Sequence, residues 1–126
     1  MKTKEDDYRE VVKYSFSLDQ LNKIGNNNEE FNHKMIEQFI LSAVESSKNM
    51  LSALEESNWV KLKSAAHKGI PSYAIMDLSE LVKFMKKIEL NAESDSEREN
   101  VKELVKLFDQ ENQAVINEMG TYLKQS

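Results

Sequence analysis

From Glu29 to Ser57 the chain carries neither glycine nor proline. A stretch of that length without a backbone punctuator commits the segment to one long helix. Phe31, Met35, Phe39, Ala43, Met50 and Leu54 recur at helical spacing within it, widened by Ile36 and Ile40. One apolar stripe cannot bury itself, so the rest of the chain must supply further one-sided helices.

The flanking segments read that way. Ser17 is placed as an N-cap before Leu18, Leu21 and Ile24, with Gly25 as the stop of a short helix. Asn26 to Asn28 is a turn, and Asn28 suits the cap of the long helix. A break at Ser57-Asn58 starts a third helix at Trp59. Pro71 lies four residues after His67, so its ring crowds the His67 carbonyl and predicts a kink there. Asp77 to Glu80 reads as a fresh cap, followed by Leu78, Leu81, Val82, Met85 and Ile88 on one face. After the polar stretch Asn91 to Ser96, Ser96 and Glu99 match a capping box. Val101, Leu104, Val105, Phe108, Val115, Met119 and Tyr122 line the last helix.

Short connections make neighbouring helices antiparallel. The fold class expected is all-α: an antiparallel four-helix bundle with a short additional N-terminal helix. Residues 1–13 show no period and are expected to be poorly ordered, leaving 14–126 as a single bundle domain.

Three glycines, one proline and no cysteine exclude a disulfide scaffold and disfavour a turn-rich β-protein. No apolar run approaches the roughly 20 residues of a membrane span, and the polar start Met1 to Asp7 lacks a signal-peptide core. A cytoplasmic protein is expected, with no membrane association. A net charge of −5 argues against nucleic acid as a partner. Between Trp59 and Leu90, however, six lysines face three carboxylates, an excess suited to an acidic partner or a phosphoryl group.

On a helical wheel, Leu62, Ala65, Ala66, Gly69 and Tyr73 share the buried side, with Trp59 and Met76 close to them. His67 lies about 140° from Leu62. Around it fall Val60, Lys63, Ser64, Pro71 and Ala74, with Ile70 at the boundary; this outward patch is expected to hold no acidic residue. Gly69 costs helix stability and predicts close approach of a neighbouring helix. His33, flanked by Glu29 and Glu37, lacks the convergent ligands of a metal site and reads as a surface histidine. Met35, Met50, Met76, Met85 and Met119 fall on core stripes as gap-fillers. No phosphate-cradling glycine loop and no nucleophile with a dedicated base is present, which disfavours an ATP-using enzyme.

An outward histidine alone is ordinary surface. The run Ala65-Ala66-His67-Lys68, then Pro71-Ser72, Met76-Asp77-Leu78 and Leu81, resembles the histidine-containing phosphotransfer domain of multistep phosphorelays. The resemblance covers roughly Phe16 to Tyr122. Members carry a small residue, the phosphorylated histidine, then lysine and a glycine or proline just downstream. Two positions depart from the pattern: Ile70 replaces a common lysine, and Asp77 replaces a common glycine.

The resemblance implies that His67 is the phosphoacceptor, taking a phosphoryl group from a receiver-domain aspartyl phosphate and passing it to another receiver. The partners implied are receiver domains of a hybrid histidine kinase and of a response regulator. The chain itself would be a monomeric phosphocarrier without ATP-driven activity or a cofactor of its own, the divalent metal belonging to the receiver. Lys63 and Lys68 would screen the phosphoryl group, and Val60, Ser64, Ile70, Pro71 and Ala74 would dock the receiver. The alternative is a phosphorylation-independent helical interaction module, a degenerate form of the same domain.

Overall fold

The computed structural model of the protein describes residues 15–125. These residues form five helices and one 3₁₀ turn, without a strand among them. The helices are α1 (Asp19–Ile24), α2 (Glu29–Glu55), α3 (Trp59–Ile75), α4 (Ser79–Asn91) and α5 (Arg98–Gln125). The expectation for residues 1–13 lies outside the described residues.

Three helix ends place a residue other than glycine in the left-handed position. Asn26, Ser57 and Asp77 have φ of 56°, 52° and 57°. At the end of α2 the Ser57 N–H donates to Leu54 O and the Asn58 N–H to Ala53 O. At the end of α3 the Asp77 N–H donates to Ala74 O and the Leu78 N–H to Tyr73 O. Both are the paired closure that satisfies orphan carbonyls at a helix C-terminus. Asp77 is therefore a terminator of α3, not the cap expected for α4, whose N-cap position is Leu78 without a side-chain bond. Asparagine caps do form elsewhere: Asn28 Oδ1 accepts from Phe31 N–H and Asn58 Oδ1 from Lys61 N–H. The capping box expected at Ser96 is replaced by the 3₁₀ turn Asp95–Glu97, with Ser96 Oγ 2.9 Å from Ser94 Oγ.

Helix α2 packs on α3 and α5, α3 on α4, and α4 on α5, enclosing one core. Its side chains include Ile36, Phe39, Met50, Leu62, Tyr73, Met85, Ile88, Val101, Phe108 and Met119. The face of α2 is rotated from the expected stripe. Asn32, Ile36, Phe39, Ala43, Ser47, Met50 and Ala53 are buried, while Phe31, Met35 and Leu54 are half-buried. Polar Asn32 and Ser47 thus occupy inward positions. Ile24 is 62% exposed, so only Leu21 of the short helix enters the core.

Helix α3 runs from Trp59 to Ile75 with Pro71 inside it. His67 and Pro71 are both exposed, so water can take the place of the missing donor to the His67 carbonyl. A Cβ on Gly69 would strike Met85 Cε of α4 and lie 3.3 Å from Ser46 Oγ of α2. Two helices therefore close on α3 at the residue without a side chain.

A buried polar network sets the mutual positions of α2, α3 and α5. Tyr73 OH donates to Asn112 Oδ1 at 2.6 Å. Asn112 Nδ2 donates to Ala43 O at 2.9 Å and Ser47 Oγ at 2.8 Å. Burial holds the Tyr73 phenol well above its ordinary range, so it remains a donor.

Candidate functional site

The rotation of α3 fixes what faces water. Leu62, Ala66, Tyr73 and Met76 are buried, which turns His67 outward with its side chain 71% exposed. Val60, at 81%, is more exposed still. Ser64, Pro71 and Ala74 are exposed, while Ile70 is half-buried against the core. Gln20 Nε2 of α1 reaches Ala74 O at 3.3 Å and Asp77 Oδ1 at 3.0 Å, so α1 borders the C-terminal end of this face.

The patch holds carboxylates that the α3 sequence does not reveal. Glu89 Oε1 of α4 lies 2.8 Å from His67 Nδ1, and Glu93, just beyond α4, is paired with Lys63 Nζ. The expectation of a patch without acid is thus corrected, because α4 and the residues just after it supply both groups. Lys63 and His67 are four residues apart, as are Glu89 and Glu93, so the pairs are successive rungs of one ladder. That matched spacing was the signal available in the sequence.

The candidate lysines lie on different sides of α3. Lys63 faces α4, and the hydrogen bond to Glu93, with its negative charge, raises the Lys63 ammonium above its ordinary range. Lys68 and Ser64 line an open groove of about 500 Å³ with Asn49 of α2, away from the His67–Glu89 rung.

A carboxylate only accepts hydrogen bonds, so Glu89 selects the imidazole form with a proton on Nδ1. The other ring nitrogen, Nε2, is bonded by no described residue, and in the neutral ring it carries the lone pair. The result is an exposed imidazole held in orientation from behind by a half-buried carboxylate, whose side chain is 25% exposed.

His33 is half-buried with its ring 6.1 Å from that of Tyr122, a packing role. Among the described residues no group of three or more His, Asp or Glu side chains is placed to hold a metal ion. No helix among them is long and apolar enough to cross a membrane. The chain matches no protein-family model, no curated protein and no solved structure.

Proposed function

We propose that this protein is a phosphorelay intermediate of the histidine phosphotransfer type, an antiparallel four-helix bundle with His67 as its phosphoacceptor. The observation that carries the reading is the His67–Glu89 rung, which engages Nδ1 and leaves Nε2 open to solvent on an otherwise well-packed helix. In the step proposed, the Nε2 lone pair attacks the phosphorus of an aspartyl phosphate on a receiver domain. The N–P bond forms as the P–O bond to the aspartyl carboxylate breaks, and that carboxylate leaves with the electron pair. Glu89 keeps the Nδ1 proton in place and offsets positive charge developing on the ring. A second receiver reverses the step.

The receiver supplies the divalent metal and docks through Val60, Ser64, Ile70, Pro71 and Ala74, with lysines at the rim. The protein works in the cytoplasm, as a monomer, and does not turn over ATP. Asp77 fits this reading: its left-handed φ of 57° is the backbone state that favours the glycine common at this place, and Gln20 holds its carboxylate. A second reading, an interaction module without phosphotransfer, is favoured by Ile70 in the lysine position and by the engagement of Lys63 with Glu93.

Incubation with receiver domains carrying labelled aspartyl phosphate separates the two. The phosphorelay reading expects acid-labile, base-stable label on the wild type and none on His67→Gln. Receivers that bind the chain without transferring label would establish the interaction module instead. Label acquired from ATP by the isolated chain would contradict both.

A further inference from the structure

We infer that Lys86, on α4, is the cation that meets a phosphoryl group carried by His67. The inference rests on the phosphotransfer reading and adds to it a residue from a different helix.

The ladder between α3 and α4 gives the register. His67 is matched with Glu89, and Lys63, one turn earlier on α3, with Glu93, one turn later on α4's side. Antiparallel pairing keeps the sum of the two positions constant, and Ile70 with Lys86, each three residues from its member of the His67–Glu89 rung, keeps that sum. Lys86 lies about 60° from Glu89 around α4, on the side turned to α3. Lys87 lies about 160° away. Lys83 is paired with Glu80 on the exposed surface.

Lys86 is exposed, and Ile70 is half-buried. A lysine stem laid over Ile70 keeps its ammonium in water near the outward ring nitrogen. An ammonium from α4 thereby takes the place that a lysine at position 70 would fill from α3. With Lys86 on this side, the two lysines Lys63 and Lys86 match in number the carboxylates Glu89 and Glu93 that pair with α3. Lys63 is committed to Glu93, and Lys68 lines the groove on the α2 side. Lys86 is the remaining cation on the His67 side to receive the nearly two negative charges of a phosphoryl group.

Two measurements test this, one of them independent of phosphotransfer. The chain has no cysteine, so Ile70→Cys with Lys86→Cys makes a clean pair for a short bifunctional thiol cross-linker. Efficient intramolecular cross-linking is expected for 70/86 and not for 70/87. Equal yields in the two pairs would overturn the register and with it the role of Lys86.

The second measurement uses phosphoramidate as donor, in a fixed mixture with ammonia. Nε2 displaces ammonia from phosphorus, so the labelled fraction at equilibrium reports the relative stability of phospho-His67. Lys86→Gln should lower the ratio of labelled to unlabelled His67 about two- to fivefold, the scale of one exposed ion pair. Lys87→Gln should leave it unchanged, and adding Ile70→Lys to Lys86→Gln should restore it. An unchanged ratio in Lys86→Gln would overturn the inference while leaving His67 as acceptor. A wild-type chain that takes no label, yet cross-links as expected, would overturn the phosphotransfer reading and the role assigned to Lys86, leaving only the register.

Discussion

Tyr73 and His67 stand six residues apart on α3, and each hydrogen-bonds a side chain of another helix, with opposite consequences. The Tyr73–Asn112 bond is buried, and its network is closed: Asn112 accepts from the phenol and donates to Ala43 O and Ser47 Oγ. The His67–Glu89 bond is at the surface and leaves one ring nitrogen without a partner among the described residues. Inside the bundle an unmatched polar atom costs free energy, so the network must be complete. At the surface water satisfies the spare nitrogen at little cost, and reactivity can be kept there. The same helix thus carries a polar group that specifies the core and another that is free to react.

The buried region should yield the largest effect on disruption. Asn112→Ala removes three buried hydrogen bonds, those with the Tyr73 hydroxyl, the Ala43 carbonyl and Ser47 Oγ, a loss of about 3 kcal/mol in denaturant unfolding. Tyr73→Phe deprives Asn112 Oδ1 of its donor and removes the hydroxyl's contact with Ser46, and should cost roughly 1–3 kcal/mol. In both variants that still fold, the labelling of His67 should persist, because neither residue touches the groove. Loss of labelling in folded Tyr73→Phe would erase the distinction between the two regions.

The surface region should behave in the reverse sense. Glu89→Gln should change stability by less than about 1 kcal/mol, as expected for a pair at the surface whose amide replacement keeps a hydrogen bond to the ring. Its amide can either accept from or donate to Nδ1, so both imidazole tautomers become available. Phosphoramidate labelling should fall roughly three- to tenfold, the scale of losing a partner that orients a reactive imidazole. Nitrogen-15 spectra should show a mixed tautomer in the variant and one form in the wild type. A slower rate without a change in tautomer would assign Glu89 an electrostatic role only.

The smallest effect belongs to neither region. Ser57 holds a left-handed φ of 52° at the end of α2. Ser57→Gly relieves that conformation and should raise stability by about 0.5–1 kcal/mol without altering labelling.

The contrast also explains what could be read from the sequence. Helix positions follow from the long interval without glycine or proline and from the apolar stripes, since local spacing decides which face is buried. The outward turn of His67 followed from Leu62, Ala66 and Tyr73 alone. Asp77 was misread because aspartate suits both an N-cap and a left-handed helix end, and only the closing bonds to Tyr73 and Ala74 distinguish them. Asn112 gave no signal, as its partners Ala43 and Ser47 are 69 and 65 residues away. Glu89 and Glu93 looked like ordinary surface acids until α4 was placed beside α3. Local periodicity gives the buried face to within a rotation, as the inward Asn32 and Ser47 of α2 show, and does not report which polar groups meet across helices.

The most direct test of the account is the position of phosphorus on the ring after labelling with phosphoramidate, read by phosphorus–proton and nitrogen-15 correlation spectra. The account predicts a single phosphorus on Nε2 of His67, with the proton retained on Nδ1 beside Glu89. Phosphorus on Nδ1, label on His33 instead, or no label on a folded chain would contradict it.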